Sequence, residues 1–260
     1  MEQRLEGFEP QEVRLRVQGT PDQTTLVYLP GLHGDWTLVG GFRVALAGRV
    51  RFVELTYPRT VTWTLEDYAE GVERALAEAS ITSGWVLAES FGSQVAWPLV
   101  ARQRFRARGL ILAGGFGRHP LRWAVRLGER LCGRVSLSLI TRILFGYARM
   151  IGWRYRNSPE LLASLREFLE RRTEADRQAA VHRLRLIAGN HPEDCARRIQ
   201  VPVHAITGFW DPIVPWPFAR RWLRRNCPSL RSYRVILGSD HNVLGTAPGR
   251  AAAEVLASIL

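Results

Sequence analysis

Short apolar runs alternate with amphipathic helical patterns along most of this chain, and this alternation constrains the fold more than any other feature. Most runs are apolar at every position, as in strands buried on both faces of a sheet. Between two of them, residues 65–79 have one apolar stripe at helical spacing after Thr64, which suits a helix N-cap. The pattern predicts an α/β fold with a mostly parallel sheet flanked by helices. The predicted strands are residues 13–17, 25–29, 50–55, 84–88, 109–113, 201–207 and 232–237.

The alternation stops over residues 115–198. This segment contains helical patterns at residues 159–169 and 175–186 but no convincing strand. A length of 260 residues fits one domain, or one domain with a large insertion. We therefore expect a core domain built from residues 1–114 and 199–260, with residues 115–198 inserted as a helical cap.

The charge balance is strongly basic. The chain has 36 basic and 24 acidic residues, a net charge of +12, and every basic residue is arginine. Such a balance fits nucleic acid, anionic lipid or acidic ligands, whereas arginine without any lysine also fits a codon bias. No recognised nucleic-acid-binding motif accompanies the charge, so we expect no specific nucleic-acid partner.

The cysteine count and the hydropathy pattern indicate the cellular compartment in which the protein works. Cys132, Cys195 and Cys227 are too few and too scattered for a disulfide framework, and they form no CxxC zinc pattern. The first ten residues lack the apolar stretch of a signal peptide, and no run of about 20 uncharged apolar residues occurs. These features predict a cytoplasmic protein.

A serine follows the strand predicted at residues 84–88. Ser90 stands two residues after Ala88 and two before Gly92, and the residues that follow can open a helix. Small residues at these positions let strand and helix approach closely around a serine held in a strained turn, which is the geometry of a nucleophile elbow. An ordinary turn serine is the alternative.

An acid and a base follow two later strands. Serine is a weak nucleophile at neutral pH and needs a base, which an acid orients. Asp211 follows the strand at residues 201–207, and His241 follows the strand at residues 232–237. Because ligands bind at the carboxyl ends of parallel strands, these residues and the serine should meet at one edge. Taken alone, Asp211 is a turn former and His241 a loop histidine, and Asp240 is the rival acid.

Two backbone N–H groups are candidates for an oxyanion hole. One is the amide of Phe91, directly after the serine at the predicted helix start. The other lies in the glycine-containing loop at residues 30–36, where we choose the Leu32 amide and take His33 as the next possibility. A phosphate-binding loop is the alternative, but its GxxxxGK[ST] pattern is absent.

These segments together resemble the α/β-hydrolase family. The resemblance rests on LPGLHGDW at residues 29–36, AESFGS at 88–93, VPVHAITGFWDPIVP at 201–215 and GSDHNVL at 238–244. It implies that Ser90, Asp211 and His241 are nucleophile, orienting acid and general base, with no metal or organic cofactor. The chain departs from the family pattern at Pro30, where histidine is usual, and at Ala88, where glycine is usual.

The resemblance implies a serine hydrolase that cleaves a carboxylic ester or thioester of a small, hydrophobic molecule through an acyl-enzyme. Acyltransferases and C–C hydrolases of the same family remain open. A non-catalytic protein of this fold that binds a ligand or partner is the alternative from another class. The presence of all three residues in the expected order favours the enzyme.

Residues that would contact substrate come from both loops and from the cap. We predict Leu32, His33, Phe91, Trp123 and Trp210 for this role. Further aromatic residues are either lining for an apolar acyl pocket or part of the core: Phe145, Tyr147, Trp153, Trp216 and Phe218.

Arginine recurs every four residues from position 118 to position 134. We expect these arginines to form a slanting band on one side of a helix, with Pro120 in its first turn. One interpretation is a solvated basic face. The other is weak association with an anionic membrane surface, because tryptophan and leucine beside arginine can enter a bilayer interface. The band comprises Arg118, Arg122, Arg126, Arg130 and Arg134.

Overall fold

The computed structural model describes residues 12–136, 139 and 159–259. Its centre is a seven-stranded sheet in the order β1-β3-β2-β4-β5-β6-β7. β1 pairs antiparallel with β3, and every other neighbouring pair is parallel. All seven predicted strands are confirmed, although their ends move by up to three residues. The strands are β1 (Arg14–Gln18), β2 (Thr25–Leu29), β3 (Arg51–Thr56), β4 (Ser83–Glu89), β5 (Arg106–Ala113), β6 (Val203–Gly208) and β7 (Leu230–Ile236).

Helices cover both faces of this sheet. Phe42 of α1, Val243 of α9 and Val255 of α10 pack on one face, within one buried apolar cluster. Trp97 of α3 and Leu223 of α8 belong to the cluster on the other face. The described helices are α1 (Gly40–Leu46), α2 (Leu65–Glu78), α3 (Gly92–Arg102), α4 (Arg122–Arg134), α5 (Pro159–Glu170), α6 (Glu174–Gly189), α7 (Glu193–Arg198), α8 (Trp216–Asn226), α9 (Val243–Thr246) and α10 (Pro248–Ile259).

The predicted N-cap of α2 is confirmed. The Thr64 side chain accepts a hydrogen bond from the Asp67 N–H, and the Asp67 carboxylate accepts one from the Thr64 N–H. This reciprocal pair satisfies two N–H groups that a bare helix end would leave without partners. Thr173 and Asp176 form the same box at the start of α6.

Between β5 and β6 the described residues form four helices, α4 to α7, and no strand. The helical patterns predicted at residues 159–169 and 175–186 are confirmed by α5 and α6. The boundaries of a separate cap at residues 115 and 198 stay a prediction. No described helix combines the length and the apolar character needed to cross a bilayer.

The predicted start of the arginine-bearing helix is wrong. The N–H of Leu121 donates to His119 Nδ1 at 3.1 Å, and Leu121 has non-helical backbone angles, φ −110° and ψ 58°. The helix therefore begins at Arg122, so that Pro120 and Arg118 precede it. Arg118 is not part of a five-residue helical band.

Candidate active site

Ser90 occupies a sharp turn between β4 and α3. Its φ of +47° lies in the left-handed region, which a residue with a side chain adopts only when its surroundings enforce it. Its N–H donates to the Ala113 carbonyl of the neighbouring strand at 3.0 Å. A Cβ at Gly92 would lie 2.3 Å from the Leu29 carbonyl oxygen, so this position needs glycine. These contacts give the elbow geometry that the small residues around Ser90 predict.

The structure brings Ser90, His241 and Asp211 together across the carboxyl edge of the sheet. His241 Nε2 lies 2.8 Å from Ser90 Oγ, and His241 Nδ1 lies 2.8 Å from Asp211 Oδ2. The Asp211 side chain is fully buried, and that of His241 is 14% exposed. A nucleophile, a base within hydrogen-bond reach and an acid on the far ring nitrogen are the parts that acyl transfer by serine requires.

The loop after β6 fixes the orientation of Asp211. Its Oδ1 accepts hydrogen bonds from the N–H groups of Ile213 and Val214, at 2.9 and 2.8 Å, which leaves Oδ2 for His241. The rival carboxylate, Asp240, instead accepts from the Asn242 N–H at 3.0 Å and the Thr246 hydroxyl at 3.2 Å. Asp240 thus braces the turn that carries His241, while Asp211 contacts the imidazole.

Two histidines at this edge differ in how readily they take a proton. Burial opposes the charged form of His241, but the hydrogen bond and charge of Asp211 outweigh it and raise the pKa of His241 above 6.5. Buried Glu89, directly before Ser90, acts in the same direction. Burial, together with a smaller contribution from nearby His241, lowers the pKa of His119 to about 4. His119 is therefore a neutral packing residue, edge-on to Phe116 at 4.9 Å.

The two predicted oxyanion donors are free to bind a ligand. Among the described residues, the N–H groups of Leu32 and Phe91 have no protein acceptor. The loop that carries Leu32 is closed by a hydrogen bond from the Gly34 N–H to the Gly31 carbonyl at 3.0 Å. Unengaged N–H groups beside a nucleophile are what an oxyanion site needs.

A buried arginine from α6 holds the Leu32 loop. Arg183 is 2% exposed and donates to the carbonyls of Leu32 at 2.9 Å and Pro58 at 3.0 Å, and to the Tyr68 hydroxyl at 3.3 Å. Its guanidinium carbon lies 5.9 Å from the centre of the Phe91 ring. No carboxylate of the described residues pairs with it. The guanidinium thus fixes this loop and leaves an uncompensated positive charge beside both oxyanion candidates.

A second arginine secures the next part of the same loop. Arg172 pairs with Asp35 at 2.7 Å, and its guanidinium stacks 4.1 Å from the centre of the Phe168 ring. Burial would raise the pKa of Asp35, but His33 and Arg172 lower it to about 2. Burial lowers the pKa of His33, whose ring packs edge-on against Phe168. The end of α5 and the turn that follows it therefore hold this loop through charged and aromatic contacts.

The other predicted substrate residues lie in different surroundings. Trp210 is 60% exposed on the loop that carries Asp211. Trp123 is 68% exposed on α4 and lines a groove with Phe218, and neither Ser90 nor His241 lines that groove. Their assignment to substrate binding stays a prediction. Three aromatic candidates lie outside the described residues: Phe145, Tyr147 and Trp153.

Several solved structures share this architecture. The chain matches MGS-M2, an α/β hydrolase from a Medee basin deep-sea metagenome library, over 94% of its own length and 93% of that chain. The TM-score is 0.76 at 14% identity. The chain has the α/β-hydrolase fold.

Two esterases also show this fold. An esterase from Exiguobacterium antarcticum matches over 95% of each chain, with a TM-score of 0.77 and 14% identity. A thermophilic esterase from Thermogutta terrifontis matches over 94% of this chain and 91% of that one, with a TM-score of 0.73 and 20% identity. No family model matches the chain, and no curated protein matches it in sequence. The α/β-hydrolase fold is thus shown by structure.

Reasoning from the sequence did not find Arg183 or Arg172. Arg183 stands among other arginines in a polar helical pattern, and its position gives no sign that it points inward. Asp35 gave a weak indication of Arg172, because a partly buried carboxylate in a glycine-containing loop needs a cationic partner. These contacts depend on how α5 and α6 pack on the sheet.

Proposed function

We propose that this protein is a serine hydrolase of the α/β-hydrolase family that cleaves carboxylic esters or thioesters of small, hydrophobic molecules. The observation that carries the proposal is the continuous hydrogen-bond chain from Ser90 through His241 to Asp211, at 2.8 Å for each step. The fold shared with two esterases supports it. In this proposal residues 115–198 form a cap over the core, and Leu32, His33, Phe91, Trp123 and Trp210 contact the substrate.

The geometry supports a mechanism in two halves. His241 Nε2 takes the proton of Ser90 as Oγ attacks the acyl carbonyl, while Asp211 stabilises the imidazolium. The N–H groups of Leu32 and Phe91 bind the resulting oxyanion. His241 then gives its proton to the departing alcohol or thiol, which leaves an acyl-enzyme. Water, deprotonated by His241, attacks this ester and releases the acid and free Ser90.

A fluorophosphonate probe tests this proposal, because it labels only an activated serine. We expect labelling of the wild type, located at Ser90 by mass spectrometry, and no labelling of Ser90→Ala or His241→Ala. Asp240→Asn is the matched control, since this neighbouring carboxylate accepts from the Asn242 N–H and the Thr246 hydroxyl, and it should still be labelled. A folded wild type that stays unlabelled and hydrolyses no ester or thioester would contradict the proposal and favour a binding protein.

A further inference from the structure

Helices α4 and α8 form an exposed surface that combines arginine with aromatic residues. Trp123, Leu127 and Leu131 recur every four residues on α4 and are 48–68% exposed. Arg126, Arg130 and Arg134 each follow three residues later, so they lie about 60° around the helix from this apolar stripe. An apolar stripe flanked by arginine is the pattern of a helix that lies in a membrane interface.

Helix α8 continues this surface across a groove. The groove has a volume of about 480 Å³. It lies between one side of α8 and the segment around the start of α4, where Arg118 precedes the helix and Arg122 and Trp123 belong to it. Residues that line it from α8 share one helix face: Phe218, Arg221, Trp222 and Arg225. We call the exposed residues of both helices the cationic face: Trp123, Arg126, Leu127, Arg130, Leu131, Arg134, Phe218, Arg221, Arg224 and Arg225.

The side chains of the arginines on the cationic face contact no acceptor in the part of the chain that the structure describes. Within the described residues, none of their six guanidinium groups donates a hydrogen bond or forms an ion pair. The single carboxylate on the two helices, Glu129, is paired with Arg185 at 2.8 Å. Exposed guanidinium groups without internal partners favour an anionic partner from outside.

The exposed apolar residues beside the arginines favour a lipid over other polyanions. Every exposed tryptophan or phenylalanine of the described residues lies on α4, on α8 or on the loop that joins β6 to α8. They are Trp123, Phe209, Trp210 and Phe218. Nucleic acids can also stack their bases on aromatic rings, but bases offer no partner for the exposed Leu127 and Leu131. Aromatic rings and leucine alike gain free energy when they enter a bilayer interface.

We infer that the cationic face docks on an anionic lipid bilayer. Phosphate groups of the lipid heads would bind its arginines, and Trp123 and Phe218 would enter the interface between head groups and acyl chains. The loop with Asp211 carries exposed Trp210 and Ile213 and leads directly into α8, so the docked protein holds the carboxyl edge of its sheet near the bilayer. This inference goes beyond the proposed function and does not depend on it.

Vesicle co-sedimentation tests the inference. The protein carries Ser90→Ala, so that no reaction changes the lipid and a failure of the proposed function leaves the result unaffected. We expect binding to phosphatidylcholine vesicles that contain phosphatidylglycerol, little binding to phosphatidylcholine alone, and loss of binding at high salt. Each arginine contributes about fivefold to binding, so Arg221→Gln with Arg225→Gln should weaken it about twenty-five-fold.

A matched pair separates docking from net charge. Arg106 and Arg108 are exposed at the amino end of β5, the opposite edge of the sheet. Their joint replacement by glutamine removes the same charge and should change binding much less than the Arg221 and Arg225 pair. Equal losses from both pairs would overturn the inference, because they would mean attraction by overall charge.

A double variant of the exposed aromatic residues tests whether the bound anion is a lipid. Trp123→Ser with Phe218→Ser should weaken vesicle binding at least about tenfold and leave retention on heparin unchanged. Both side chains are exposed, and a far-ultraviolet circular dichroism spectrum checks that the variant folds. Unchanged vesicle binding by this variant would overturn lipid docking and leave a surface for a soluble polyanion. Absence of binding by the folded parent protein would also overturn it.

Discussion

The carboxyl edge of the sheet and the cationic face use polar side chains in opposite ways. At the sheet edge, Ser90, His241 and Asp211 contact one another, and Arg183 has three acceptors around the Leu32 loop. On the cationic face, Arg221 and the other arginines form no side-chain hydrogen bond or ion pair within the described residues. Internal hydrogen bonds fix positions before a ligand arrives, which suits chemistry, whereas unpaired charges leave binding capacity for an outside surface.

This contrast also shows that the arginine content of the chain and the positions of its arginines are separate matters. A genome that uses arginine in place of lysine supplies the same residue type everywhere, but it does not decide which arginines are buried. Arg183 and Arg122 donate to backbone carbonyls, whereas Arg126 and Arg225 donate to none among the described residues. The solvated-face interpretation of the arginine row therefore does not fit Arg122, whose guanidinium donates to the Ala188 carbonyl at 2.6 and 2.8 Å.

The largest effect should come from the orienting acid. Asp211→Asn removes the charge that stabilises protonated His241, so we expect kcat on a soluble chromogenic ester to fall about 10⁴-fold. Asp240→Asn is the control and should keep most of the activity. Vesicle binding should be unchanged in both variants. If Asp211→Asn kept activity within about tenfold while Asp240→Asn lost it, the acid would be Asp240.

A smaller effect should come from the arginine behind the oxyanion loop. Arg183→Met leaves the Leu32 and Pro58 carbonyls without their donor, so we expect kcat to fall about a hundredfold with little change in KM. The free energy of unfolding should fall by about 1–3 kcal/mol. Arg183→Lys should recover part of kcat, because it restores the charge and one donor.

Steady-state kinetics and thermal melts of Arg183→Met and Arg183→Lys distinguish a role of Arg183 in positioning the Leu32 loop from a role in stabilising the fold. A lower melting temperature with kcat unchanged would mean that Arg183 only stabilises the fold. Arg221→Met is the matched control on the cationic face, and it should alter neither quantity.

The pH dependence gives the next effect. Since the base acts in its neutral form, kcat/KM should be low in acid and rise to a plateau as His241 loses its proton. Asp211 raises the pKa of His241, so the midpoint should lie above 6.5 in the wild type. In Asp211→Asn the residual activity should rise at lower pH than in the wild type. A wild-type midpoint below 6.5 would contradict the coupling of these two residues.

The smallest effect on catalysis should come from the cationic face. Arg221→Gln with Arg225→Gln should leave kcat/KM for a short, soluble ester within about twofold of the wild type, because neither side chain contacts the triad. The same pair should abolish most of the vesicle binding. A loss of soluble-ester activity parallel to the loss of binding would mean that the two regions are coupled.

The sequence predicted the sheet better than it predicted what holds the site in place. Local apolar runs located all seven strands, but β5 begins at Arg106 and not at Gly109, because Arg106 and Arg108 continue the strand at its exposed end. The motifs around Ser90 and Asp211 also depend on local spacing. Arg183 and Leu32 are 151 positions apart, and no local pattern reports such a contact. The start of α4 was missed because His119 accepts the N–H of Leu121.

In the proposed mechanism, the two arginines that hold the Leu32 loop couple the packing of α5 and α6 to the binding of the oxyanion. A movement of α5 and α6 away from the core would withdraw Arg172 and Arg183 from this loop and loosen the Leu32 amide. Thermodynamic linkage is reciprocal, so a ligand that binds the Leu32 and Phe91 amides should also favour the position of these helices in which both arginines contact the loop. An oxyanion-like inhibitor would therefore slow hydrogen exchange in α5 and α6, far from the atoms that it touches.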